Sequence, residues 1–129
     1  MTEKKASFLL YILMRTDLAS MNPGKAVAQG AHAANLFMHH TPHTPAYKAW
    51  IAEGHGFGTT ICLGVTEKQM RAAVRMASRL DFPADIVHDH TYPLRDGDTL
   101  HLIPLDTCAY VFGTKDDLAP ILGHLSLHP

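Results

Sequence analysis

Residues 7 to 37 read SFLLYILMRTDLASMNPGKAVAQGAHAANLF, and the change of rhythm within that stretch decides the fold. Ser7 to Arg15 is a short, almost unbroken apolar run, the pattern of a central strand covered on both faces. Thr16 to Gly24 is rich in turn formers and breaks the run. From about Lys25 the apolar residues recur with helical rather than strand spacing: Ala26, Val27, Ala28, Ala31, Ala33, Ala34, Leu36 and Phe37. A buried strand feeding a small-residue helix is the opening unit of a layered α/β domain.

The remaining chain continues the alternation. His39 to His43, broken by Pro42, reads as a linker, and Thr44-Pro45 as an N-cap with proline at the first position of a short helix. That helix runs through Trp50 and stops at Gly54. Thr59 to Val65 reads as a second strand, and Thr66 to Gln69 as a capping box opening a helix to about Leu80. Ala84 to His88 reads as a third strand and Thr107 to Phe112 as a fourth. Leu100 to Ile103 either extends the fourth or stands as a separate strand. A last helix is expected after Asp116-Asp117, with Pro120 tolerated in its first turn and Gly123 ending it. Strands alternating with helices predict an α/β domain.

Bulk properties agree. The 129 residues suit one domain, and 47% hydrophobic content can fill a core. No run approaches the roughly 20 apolar residues that span a bilayer. The first apolar run leads into Arg15 and Asp17 with no small-residue cleavage site, so no secretory signal is expected. Cys62 and Cys108, each within an apolar strand-like run, fit two reduced core thiols, and a cytoplasmic location is expected. A formal charge of −1 argues against non-specific wrapping of nucleic acid but allows a local basic patch.

Chemistry concentrates on the first helix. Lys25, Gln29 and His32 lie at i, i+4 and i+7 and share one narrow face, with Ala26, Gly30 and Ala33 as a stripe of small residues beside it. Lys25 stands at a helix start, where free N–H groups and the positive end of the dipole favour a phosphate or an oxyanion. The same spacing also suits an amphipathic helix whose polar face meets only water. Pro23-Gly24-Lys25-Ala26 is not a Walker A loop: the earlier glycine is missing and Ala26 replaces the Ser or Thr that would hold magnesium. Neither cysteine sits in the polar setting of a nucleophile.

The run Arg15-Thr-Asp17-Leu18-Ala-Ser-Met21-Asn-Pro-Gly24-Lys25-Ala-Val-Ala28-Gln29-Gly-Ala-His32-Ala33 resembles the signature of the type II peptidyl-tRNA hydrolase family. That signature is approximately R-x-D-L, M, G-K, A-Q and H-A in order. The tail, Asp117-Leu118 then Gly123-His124-Leu125-Ser126-Leu127, resembles that family's closing D-L…G-H-L-x-L. The resemblance implies a three-layer α/β/α domain with a four-stranded mixed sheet, forming a homodimer. It implies hydrolysis of the ester joining a peptide to the 3′ end of tRNA, with no metal and no cofactor. By position, Lys25 matches the essential lysine and Asp89 the essential aspartate after the third strand. His32 and Gln29 are expected to position the terminal ribose or the carbonyl, with His32 counted among the catalytic residues and Asp17, Gly24 and Gln29 among the substrate-binding ones.

After Asp89 the chain departs from the family's D-x-G-x-T-Q. Pro93 stands where a threonine is expected, and Thr91 or Thr99 is left to supply a hydroxyl from a shifted position. The mechanism expected is direct attack by water. Asp89 orients or deprotonates it, and Lys25 with nearby backbone N–H groups holds the oxyanion. Arg71, Arg75 and Arg79, at i, i+4 and i+8 with Lys68 nearby, form either a basic stripe for tRNA or an ordinary solvated face. His39, His40 and His43 suggest a metal tract but lack a fixed frame. His88 and His90 flank Asp89 and, on a regular strand, point away from its side. Tyr47 and Trp50 read as core or dimer contacts. A member of the same fold that has lost catalysis, binding RNA, a nucleotide or a protein, is the alternative, favoured by the altered segment after Asp89.

Overall fold

The structure is a computed structural model describing residues 7–41 and 43–129. In chain order the elements are β1 (Phe8–Arg15), α1 (Pro23–His40), α2 (Pro45–Glu53), β2 (Thr60–Val65), α3 (Glu67–Arg79), β3 (Ala84–Asp96), β4 (Thr99–Thr114), α4 (Lys115–Leu122) and β5 (Ser126–Leu127). The strands form one mixed sheet in the order β3-β4-β1-β2-β5. Only β1 and β2 run parallel, as the crossover through α1 and α2 requires; the other pairs are antiparallel.

The continuous apolar run of β1 is explained by its central place. Leu10, Ile12 and Met14 face α1 and α2, with Ala33, Phe37 and Trp50 in one core. Tyr11 and Leu13 face α3 and α4, with Met70, Ala73, Ala77, Leu118 and Ile121 in a second core. The helices therefore cover both faces of the sheet. Trp50 is buried, donates its indole N–H to the Thr59 carbonyl at 2.7 Å and meets Phe37 edge-on, so it is a core residue. Gly58, at φ +74°, passes against the Trp50 ring, where a Cβ would come within 2.2 Å.

The structure corrects several expectations. The sheet has five strands rather than four. The fifth, β5, pairs Ser126 and Leu127 with Gly64 and Leu63 of β2, and two residues are too few to leave a periodic signal. The linker expected from His39 is instead the last turn of α1, where the negative end of the dipole favours the imidazoles of His39 and His40; Pro42 lies outside the described residues. Helix α1 starts at Pro23, capped by Asn22, rather than at Lys25. The third strand does not stop at His88 but runs to Asp96, and Leu100 to Ile103 belongs to a 16-residue β4. Gly97-Asp98 closes this long hairpin as a two-residue turn, with Gly97 at φ +60°. Helix α4 is capped by Thr114, so Pro120 is inside the helix rather than in its first turn.

Candidate functional site

Helix α1 lies across β1, β4 and β3, and its side facing β3 carries Lys25 and Gln29. Asn22 caps the helix by accepting from the Lys25 backbone N–H at 2.9 Å, so this N–H is engaged rather than open to an anion. The Lys25 ammonium instead reaches across to β3. It donates to the Pro93 carbonyl at 2.8 Å and the Ser20 carbonyl at 3.2 Å. It also stands 5.0 Å from the centre of the Tyr92 ring. Tyr92 is fully buried, and its hydroxyl shares a 3.0 Å hydrogen bond with Ser20 Oγ. Two of the three ammonium donors are therefore fixed and the third is left to point elsewhere.

One turn along, Gln29 is 3% exposed and bonded at both ends of its amide. Its Oε1 accepts from the buried Thr107 hydroxyl at 2.6 Å, and this fixes the amide so that Nε2 donates to Asp89 Oδ2 at 2.7 Å. The other carboxylate oxygen accepts from the Thr91 backbone N–H at 2.9 Å and its hydroxyl at 3.4 Å. Partial burial pulls the Asp89 pKa upward, but the Gln29 amide, the Thr91 N–H and the nearby His32 outweigh it. The carboxyl is held below its ordinary value and is ionised at neutral pH. Lys25, Gln29, His32, Asp89 and Thr91 thus meet along one seam between α1 and β3.

Asp89, Thr91 and His32 open onto a cleft of about 620 Å³ that His39, His40, His88 and His90 also line. As expected, His88 points away from Asp89: Asp89 faces Gln29 of α1, whereas His88 meets Asp106, the partner of Arg71 on α3, and the His90 ring packs with it. The β3–β4 register shifts between Val87 and His88 and again between Asp89 and Tyr92. His88 hydrogen-bonds Asp106 Oδ1 at 2.7 Å, and its ring meets that of His90 edge-on. Among the described residues, no cluster of three His, Cys, Asp or Glu side chains is arranged to hold a metal ion. A second cavity, of about 610 Å³, lies on the β2 side of α1 and is largely apolar; Met14, Leu18, Met21, Ala26 and Val27 line it.

The remaining candidates lie elsewhere. Gly24 is exposed in the first turn of α1, beside the Asn22 cap. Asp17 bonds Arg15 at 2.8 Å and accepts from the Glu67 N–H at 3.0 Å, tying β1 to the start of α3. The Arg15 hydrogen bond, opposed by desolvation, lowers the Asp17 pKa. Arg71 pairs with Asp106 at 2.6 Å and with Glu67 at 3.7 Å. Arg75 and Arg79 are exposed on α3, which packs on the sheet face opposite α1. The basic stripe and the Lys25–Asp89 seam therefore belong to different layers. Thr99 sits at the hairpin turn, away from Asp89. Both cysteines are free, and burial pushes the Cys108 thiol up to about 12, which leaves no thiolate for nucleophilic work.

Sequence reasoning missed Ser20, Tyr92 and Thr107. Tyr92 was accessible as an aromatic next to Pro93; the other two carry no local signal, because each acts through a partner 72 or more positions away. Pro93 explains itself in the structure: Lys25 uses its carbonyl, which any residue offers, and β3 is an edge strand, where a missing N–H is tolerated.

A family model described as peptidyl-tRNA hydrolase PTH2 matches residues 8–128, nearly the whole chain. No curated protein matches the sequence. Among solved structures, a protein of unknown function from Agrobacterium tumefaciens strain C58 is similar, with a TM-score of 0.53 and 10% identity. The match covers 95% of this chain and 98% of that one, and at this identity it speaks for the fold alone.

Proposed function

The chain belongs to the type II peptidyl-tRNA hydrolase family, and on that premise we propose that it hydrolyses the ester between a peptide, or an N-blocked amino acid, and the 3′ end of tRNA. The observation that carries this reading is the Thr107–Gln29–Asp89 chain, which fixes the Asp89 carboxylate against Gln29, one helical turn along α1 from Lys25. The Asp89 carboxylate, ionised and already held by Gln29 and Thr91, retains lone pairs toward the cleft and orients the attacking water. Because its pKa is lowered, it orients water better than it removes a proton. His32, exposed beside it, is the stronger acceptor for that proton.

As water adds to the carbonyl carbon, the oxygen gains negative charge. The remaining donor of Lys25, held in place over Tyr92, is the group that stabilises it. Collapse of the tetrahedral adduct breaks the ester bond, and the proton on His32 passes to the leaving 3′ ribose oxygen. Gln29 is engaged on both sides and acts as a positioning residue for Asp89 rather than touching the ribose. The apolar cavity on the β2 side of α1 suits the side chains of the peptide portion. Arg75 and Arg79 are proposed to meet the tRNA body on the opposite layer, with Arg71 contributing field from within its ion pair. The reading places the protein in the cytoplasm as a homodimer. Among the described residues no helix is long and apolar enough to cross a membrane.

A second reading, a member of the fold that binds without cleaving, draws on one observation: two backbone carbonyls already occupy the Lys25 ammonium. Purified protein incubated with N-acetyl-aminoacyl-tRNA separates the two. Release of the blocked amino acid, lost in Asp89→Asn, is the expected result. RNA binding with no release in either protein would leave the second reading.

A further inference from the structure

The hydrogen bond between Ser20 and Tyr92 has a direction that burial decides. Tyr92 is fully buried, and among the described residues the one partner of its phenol is Ser20 Oγ, at 3.0 Å. A buried O–H with no acceptor forfeits its hydration and gains nothing in return, so a buried phenol donates. The Tyr92 hydroxyl is therefore the donor and Ser20 Oγ the acceptor. Ser20 keeps its own hydroxyl proton, and it stands half-buried on the loop between β1 and α1.

That free proton lies beside the Lys25 ammonium. Nζ donates to the Ser20 carbonyl at 3.2 Å and to the Pro93 carbonyl at 2.8 Å, with the Tyr92 ring centre 5.0 Å away. Ser20 thus touches Lys25 through its carbonyl and Tyr92 through its hydroxyl, while Tyr92 and Pro93 meet the same ammonium from β3. This closed ring of contacts leaves two donors over: the third N–H of Lys25 and the O–H of Ser20. The other hydroxyls along the seam are engaged, Thr91 on Asp89 and Thr107 on Gln29.

We infer that Ser20 is a second oxyanion donor, acting with Lys25 on the oxygen that gains charge as water adds to the ester, and that Tyr92 is the positioning residue that aims it. The inference rests on the proposed function for the identity of the ester and adds a catalytic residue to it. An oxygen carrying a developing negative charge accepts more than one hydrogen bond, and a single ammonium N–H leaves it under-bonded. Ser20 supplies a neutral donor already fixed at its oxygen by Tyr92, so little reorganisation accompanies the reaction.

The test is steady-state hydrolysis of N-acetyl-aminoacyl-tRNA by wild type, Ser20→Ala, Ser20→Thr and Tyr92→Phe, each checked by circular dichroism. Ser20→Ala is expected to lose about 100-fold in kcat, the effect of removing one oxyanion donor. Its KM should not move, because the donor meets full charge only in the transition state. Ser20→Thr restores the hydroxyl and is expected to recover most of the loss. Tyr92→Phe keeps the ring beside Lys25 and removes only the group that aims Ser20. It is expected to lose about tenfold in kcat, again at unchanged KM.

A Ser20→Ala protein that turns over at the wild-type rate would overturn the inference. So would a loss carried by KM alone, or a Ser20→Thr protein no better than Ser20→Ala. Calorimetric binding of adenosine 3′-(N-acetylaminomethyl)phosphonate, whose tetrahedral anion mimics the adduct, keeps the two proposals apart. Wild type is expected to bind it about tenfold more tightly than Ser20→Ala. Equal binding by the two proteins overturns the donor pair alone, whether or not wild type hydrolyses the ester. The expected difference in binding without hydrolysis supports the donor pair and overturns the hydrolase reading.

Discussion

Gln29 is proposed to position Asp89 without touching substrate. Its amide is buried between Thr107 and Asp89, with its oxygen and one N–H bonded. Thr107→Val leaves Gln29 Oε1 without its donor inside the protein, and such an orphan costs about 1–3 kcal/mol. Chemical denaturation should register that loss, together with reduced turnover. Gln29→Leu removes the donor that lowers the Asp89 pKa most. Carboxyl titration by NMR should then find Asp89 shifted upward toward its ordinary value; an unmoved carboxyl would mean that Thr91 and His32 suffice. The sequence makes Lys25, Gln29 and His32 legible because helical spacing is short-range arithmetic. It hides what they touch. Ser20, Tyr92, Pro93 and Thr107 are partners made by tertiary packing, and no local pattern announces them.

The β3–β4 hairpin shows how elements set the site. β3 carries Asp89, Thr91 and the Pro93 carbonyl on one edge strand, with Asp89 turned to Gln29 of α1 and His88 to Asp106 on the other face. Sequence reading ended this strand at His88 because Pro93 and the polar run around it break the apolar pattern; pairing with β4 overrides that local signal. Gly97 permits the turn at φ +60°. Gly97→Ala is expected to cost about 1 kcal/mol, since an L side chain is strained there, and to loosen the hairpin tip in hydrogen exchange. Helix boundaries were more readable where capping is chemical. The Thr66–Gln69 box stands as the sequence announces it, with both reciprocal bonds present. Thr66→Ala should lower stability by about 1 kcal/mol in thermal unfolding, without changing catalysis.

Taken together, the two cores and the charged links between layers define how the protein responds to acid. Asp17, Asp89 and Asp106 all have carboxyl pKa values lowered in the fold. Each therefore adds stability that is fully present above the unfolded carboxylate value of about 3.9 and disappears as pH falls through the lower folded values. Unfolding midpoints should hold steady from neutral pH to about 5 and drop below about 4; a flat profile to pH 2 would contradict the ion-pair network. The alternation of strand and helix reveals the α/β class, yet the fifth strand, two residues long, lies below what any sequence period resolves. The expected homodimer has a place to be sought in the exposed Leu100 and Leu102, at 54% and 59% exposure on the hairpin tip. Sedimentation of Leu102→Asp tests whether that tip holds two copies together.

The most direct test of the account is the hydrolysis rate on N-acetyl-aminoacyl-tRNA for wild type, Lys25→Ala, Asp89→Asn and the double variant. If the ammonium and the carboxylate act on one ester, each single change lowers turnover by roughly two to three orders of magnitude. The double variant should then fall little further, because groups working as a unit do not add. A Lys25→Ala protein that folds and cleaves at the wild-type rate would contradict it.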